Sequence, residues 1–201
     1  SYAAFVAAFE SMLRNIHYAN GTPNFISSNH FQCIDWIENN KYLVEDITQK
    51  LSPKSKIAET VINKLGYFKQ HKINKNHNQE FSEIIIKKLA PQISRVPYIE
   101  TEEVLANYKL YVQSFPEYSI VNIVRPNWDL TERIGTHLNI SHLGFAVKDN
   151  KTVNLSFYHA TSERMKIVQE TLDVYMQRQQ SIPTIRGINV LAVNPGFYHA
   201  R

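Results

Sequence analysis

One stretch constrains this chain more than any other: Ile134 to Thr161, read as Ile-Gly-Thr-His-Leu-Asn-Ile-Ser-His142-Leu-Gly-Phe-Ala-Val, a polar turn, and Leu-Ser-Phe-Tyr-His159-Ala-Thr. Ile140, Leu143, Phe145 and Val147 mark a first strand, and Lys148-Asp-Asn-Lys151 has the chemistry of a turn. Thr152 to Tyr158 reads as the returning strand, so the segment predicts a β-hairpin. His142 then stands at the start of one strand and His159 at the end of the other, and an antiparallel hairpin brings those ends together. Two imidazoles at one end of a sheet suit a base and the group that orients it. The other reading is two unrelated histidines that cap or hydrogen-bond locally.

The rest of the chain supplies a frame. Tyr2, Phe5, Val6, Phe9, Met12, Leu13 and Ile16 recur at helical spacing, which predicts a buried N-terminal helix. Its abrupt start suggests that part of the domain precedes Ser1. Ser28 or Asn29 can cap a short helix whose Phe31, Ile34 and Ile37 share a face. Val44 to Thr48 reads as extended or turn, and the Lys-rich run Asn63 to Asn78 as a solvated loop. Gln79 to Leu89 suits a short helix, and Pro91 and Pro97 mark a connection. Thr101-Glu-Glu-Val predicts a capped helix running to Leu110 or Val112. Tyr118 to Val124 is a β-branched strand, with Arg125 to Asp129 a loop after it. Trp128 either lines a cleft or covers the core. A strand near Met165 to Val168, a helix over Thr171 to Gln180 and a strand over Ile185 to Val193 complete the chain. Helices followed by a run of strands predict an α+β fold rather than a parallel sheet.

Composition narrows the function classes. With 201 residues, 43% of them hydrophobic and 20% charged, the chain has the make-up of one globular domain spanning 1–201. A formal charge of +4 accommodates an anionic partner, but no Arg-rich run interleaved with aromatics points to nucleic acid. No apolar run is long enough to span a membrane, and no signal peptide is visible at Ser1. Cys33, the single cysteine, excludes an internal disulfide. It acts as a nucleophile only if a base approaches and something lowers its pKa; otherwise it is packing inside an apolar helix. His71 and His77 lack convergent ligands, so no metal site is expected.

Six segments occur in one order: Ile16-His-Tyr-Ala-Asn-Gly, Ser28-Asn-His-Phe31, Asp35-Trp-Ile, Asp46-Ile-Thr48, Ile140-Ser-His-Leu-Gly144 and His159-Ala-Thr-Ser162. Together they resemble a bacterial family of N-acetylmuramoyl-L-alanine amidase-like proteins. That family belongs to the NlpC-type cysteine peptidase superfamily, with a papain-like fold. The resemblance covers nearly the whole chain. It implies an N-terminal core helix packed on a central antiparallel β-sheet, with helical insertions, and cleavage of the amide between N-acetylmuramic acid and L-alanine in peptidoglycan fragments, without a cofactor. It implies His142 as the base and His159 as the group orienting it. The family's nucleophile motif resembles Asp-Cys-x-Thr-Phe, and Ser1-Tyr2 matches its last two residues. The nucleophilic cysteine is therefore expected just upstream of Ser1, and Cys33 does not occupy the motif position. A thiol at a helix N-terminus gains thiolate character there, beside backbone amides able to form an oxyanion hole. Tyr2, Asn29, His30, Thr136, His137 and Ser141 are the candidate substrate contacts; for the loop residues among them, turn capping is the competing explanation. The expected partners are muropeptides, and the expected setting is periplasmic or secreted. Two alternatives remain open: a stem-peptide endopeptidase of the same superfamily, and a non-catalytic muropeptide binder.

Overall fold

A computed structural model describes residues 2–18, 21, 28–70, 89–149, 151–162 and 165–197. The helix predicted over Gln79 to Leu89 lies outside them except for its last residue. Among the described residues the fold is mixed α/β, built on one eight-stranded sheet whose pairings are all antiparallel. The strands are β1 (Val44–Asp46), β2 (Lys56–Ile62), β3 (Gln92–Glu100), β4 (Tyr118–Leu130), β5 (Thr136–Asp149), β6 (Asn154–Thr161), β7 (Lys166–Thr171) and β8 (Gly187–Val193). They run in the order β2-β3-β8-β4-β5-β6-β7, with β1 also paired to β8.

β4 lies between β5 and β8, and its first seven residues are buried without alternation. A strand covered on both faces is mostly apolar; the exceptions here are Ser119 and Asn122, both buried, and Asn122 Nδ2 donates to Asn189 Oδ1 at 2.9 Å. One face carries Val121, Ile123, Ala146, Phe157, Ile188 and Val190. Against it pack three helices, α4 (Thr101–Ala106), α5 (Tyr108–Ser114) and α7 (Leu172–Gln179), through Val104, Val112, Leu172, Tyr175 and Met176. The opposite face carries Tyr118, Ile120, Leu191 and Val193 and receives Met12 from the N-terminal helix α1 (Tyr2–Asn15). Each fully buried Leu, Ile or Phe contributes about 1.5–3 kcal/mol.

Several local expectations change. The connection placed around Pro97 is strand β3. Its pairing with β8 begins only at Ile99, so a residue without an amide hydrogen is tolerated there. The loop expected at Arg125 to Asp129 is the continuation of β4 through a bulge. Pro126 and Asn127 occupy that irregularity. Asn127 takes φ of +48°, and its amide donates to Thr60 Oγ1 at 3.0 Å. Part of the run read as a solvated loop forms α3 (Lys64–Gln70). Lys69 faces outward, but Phe68 is buried and Lys64 pairs with Asp35 in a largely shielded contact.

The short α6 (Thr131–Ile134) ends at Gly135, whose φ is +77° and whose added Cβ would stand 2.3 Å from the Gly66 carbonyl oxygen. The helix expected from Thr101 to Leu110 or Val112 breaks at Asn107 into α4 and α5. Thr101 does not cap it: the cap position is Glu100, and the Thr101 amide donates to Arg186 O at 3.0 Å. The expected helix near Phe31 is a π-turn over Gln32–Trp36 followed by one α-helical turn, α2 (Ile37–Asn39).

Candidate active site

The register between β5 and β6 runs from Asp149↔Asn154 to Phe145↔Tyr158. Strand alternation then puts His142, Gly144 and Ala146 on one face with Phe157 and His159. His142 lies in the middle of β5 rather than at its start. It follows an irregularity at Ser141, since β4 partners shift from Ile123↔His142 to Val124↔Ile140. Gly144 is required between the histidines: a Cβ there would stand 2.5 Å from the Phe157 ring and 2.7 Å from Tyr158 O.

His159 is buried. Its ring stacks on Phe157 at 5.0 Å and meets the Tyr175 ring edge-on at 5.0 Å. His142 is half-buried and stacks on Tyr175 at 6.0 Å. His142 Nε2 lies 3.0 Å from His159 Nδ1, and His159 Nε2 lies 2.9 Å from Glu170 Oε1 on β7. Arg178 on α7 donates to both carboxylate oxygens of Glu170, at 2.6 and 2.7 Å. Tyr175 and Arg178 are three residues apart on the helix and so share a face, with the guanidinium over the Tyr175 ring.

The electrostatics follow the packing. Burial, with the neighbouring His159, pushes the His142 pKa down. Hydrogen bonds from Arg178 hold Glu170 below the usual carboxylate range. Burial raises the Tyr175 phenol to about 12, so that ring stays neutral. A base with a lowered pKa is unprotonated at neutral pH and ready to accept a proton.

Beside His142 opens a cleft of about 400 Å³, lined by His30, Gln32, Cys33, residues 138–143 and Ala160. Of the residues expected as substrate contacts, His30 and Ser141 line it. His30 is flanked by Tyr67 and Phe68 at ring distances of 5.3 and 5.4 Å, and Ser141 Oγ donates to Ile123 O at 3.4 Å. Asn29 is not among the cleft-lining residues. It donates to His17 O at 2.8 Å and accepts from Asn39 at 2.7 Å, tying loops together. Thr136 is buried and accepts the Asn63 amide at 2.7 Å. His137, near the start of β5, faces Asp129 at 3.6 Å. The Tyr2 side chain lies outside the described residues.

Cys33 shares the cleft, but its S–H donates to Asn139 Oδ1 at 3.0 Å and burial raises its pKa. Both effects keep it a thiol. Among the described residues no group of three His, Cys, Asp or Glu side chains is arranged to hold a metal ion. Glu170, Arg178, Tyr175 and Asn139 were not singled out from sequence. The only signal for the first was a lone acid in a short strand.

The described residues thus form a large antiparallel sheet that carries a linked histidine pair at the edge of a cleft. Comparison with known proteins gives the family. The chain belongs to the AmiA-like family of N-acetylmuramoyl-L-alanine amidase-like proteins, whose model matches residues 1–185. It is an amidase-like cell-wall hydrolase family. A solved Legionella pneumophila protein is 31% identical, with a TM-score of 0.77 over 96% of this chain and 74% of that one. An N-acetylmuramoyl-L-alanine amidase from Bacteroides uniformis shares the fold at 20% identity and a TM-score of 0.56, over 92% of this chain and 73% of that one. So does a Bacteroides fragilis protein named as a candidate xylanase, at 21% identity and a TM-score of 0.61, over 92% and 75%. No curated protein matches the chain.

Proposed function

We propose that this protein is a papain-like, NlpC-type cysteine amidase that cuts the bond between N-acetylmuramic acid and L-alanine in peptidoglycan fragments. The observation that carries the reading is the 3.0 Å contact between His142 Nε2 and His159 Nδ1 at the cleft edge, in a chain of this family. The nucleophile is the cysteine that the family motif places immediately ahead of Ser1.

In this mechanism His142 takes the thiol proton and the thiolate attacks the lactoyl carbonyl carbon of the muramic acid. A tetrahedral oxyanion forms. It collapses with rupture of the C–N bond as His142 returns the proton to the leaving amine of L-alanine. The sugar remains as a thioester. Water, deprotonated by His142, then attacks that thioester, releasing the muramic acid carboxylate, and the thiol regains its proton. His159 keeps the His142 ring in the useful orientation throughout. The cleft that contains His30 and Ser141 receives the substrate, whose location sets the protein to work in the periplasm or outside the cell.

The test is incubation of the full-length protein with intact and anhydro-ended muropeptides, read by product mass. Release of a peptide beginning with L-alanine, together with the bare sugar, supports the reading. Cleavage within the peptide makes it an endopeptidase, and binding without cleavage makes it a muropeptide binder.

A further inference from the structure

We propose that Glu170 and Arg178 lock the proton positions of both histidines, and so act as positioning residues for His142. The inference rests on the amidase reading only for its catalytic consequence; the proton placement stands on geometry.

An ionised carboxylate can only accept hydrogen bonds. Glu170 Oε1 sits 2.9 Å from His159 Nε2, so that nitrogen must carry the ring hydrogen. In the neutral ring the other nitrogen, Nδ1, is then a lone pair. It faces His142 Nε2 at 3.0 Å, and that nitrogen must in turn carry the hydrogen. The lone pair of neutral His142 is thereby confined to Nδ1, the nitrogen outside the relay and the one left to accept a proton. Reversing any link would set two donors or two lone pairs against each other.

Arg178 makes this arrangement rigid. Its two bonds fix the carboxylate plane, so that Oε1 meets both His159 and the guanidinium while Oε2 accepts from the guanidinium. The Glu170 side chain is only 16% exposed, whereas that of Arg178 is 54% exposed. The carboxylate is thus the shielded member and the arginine its link to the surface. The Arg178 charge also offsets the Glu170 charge. The pair is therefore suited to setting which nitrogen carries the proton, more than to raising the basicity of His142.

The experiment is ¹⁵N NMR of the histidine rings in the full-length protein at neutral pH, paired with steady-state kinetics on a muropeptide. The wild type should show hydrogens on Nε2 of both His142 and His159. Glu170→Ala should release the lock, giving mixed tautomers at His142. It should also lower kcat by about tenfold or more, with KM within about twofold. A hydrogen on Nδ1 of His142 in the wild type overturns the inference without any variant, as does a Glu170→Ala protein with unchanged tautomer and unchanged kcat. A wild type that shows the expected signals but cuts no muropeptide keeps the lock and removes the amidase reading.

Discussion

The His142 and His159 rings stand at 89° to one another with Nε2 and Nδ1 3.0 Å apart. The perpendicular arrangement lets both rings keep their own packing, His142 on Tyr175 and His159 on Phe157, while their ring edges meet in one hydrogen bond. Two strands, a helix and a glycine combine to hold it.

The two histidines should fail differently when removed. His142→Ala deletes the proposed base from a half-buried position and should lower kcat by about 10² to 10⁴-fold with the fold intact. His159→Ala empties a buried site and leaves Glu170 and His142 each short of a partner, so it should also cost about 2–4 kcal/mol of stability. Urea unfolding beside kinetics separates the two effects; equal stability loss in both variants would contradict the packing described.

The pH dependence follows from burial. The groups around His142 are His159 on β6, Tyr175 on α7 and Cys33 across the cleft, with Glu170 and Arg178 behind His159. Burial of His142, reinforced by the adjacent histidine, lowers its pKa from 6.5, and only the unprotonated form is a base. The acid limb of kcat/KM should therefore lie below pH 6.5, measured where circular dichroism shows the protein folded. Stability moves in the same direction. The Glu170 carboxylate is depressed below 4.5, so its contribution is present above that value and is lost as pH falls through the folded-state pKa. An acid limb above 6.5 would contradict the buried setting of His142.

Cys33 should be dispensable. Its raised pKa and its bond to Asn139 Oδ1 make it a half-buried donor, and a serine hydroxyl can donate to the same oxygen. Cys33→Ser should keep kcat within about twofold. A loss of more than about a hundredfold would make Cys33 the nucleophile instead.

Gly144→Ala should damage activity through packing. The new Cβ meets the Phe157 ring and the Tyr158 carbonyl, and such overpacking costs about 1–3 kcal/mol. Because Phe157 supports His159, the loss of turnover should exceed what that destabilisation explains at a temperature where the variant is fully folded.

Local patterns made some of this structure legible and long-range contacts hid the rest. The hairpin, the strand at Tyr118 and the helix near Thr171 announce themselves through turn residues and apolar periodicity, and the hairpin alone pointed to His142 and His159 as neighbours. β3 was obscured by Pro97, which is tolerated only because β8 pairs further along. The bulge at Pro126 and Asn127 looked like a loop because its residues favour turns. α3 looked solvated because its charges outnumber the buried Phe68. Glu170 and Arg178 could not be connected to His159 without the β6–β7 register and the fold of α7 back onto the sheet. Asn29, Thr136 and His137 have the polar chemistry of a binding site but spend it on loop contacts and on Asp129.

The most direct measurement is the intact mass of the full-length protein quenched during a single turnover of a muropeptide. The account predicts a gain equal to the muramic acid acyl group, carried on the cysteine ahead of Ser1 and discharged by hydroxylamine. A gain equal to a peptide acyl fragment, or products formed with no covalent adduct at any time while His142→Ala remains fully active, would contradict it.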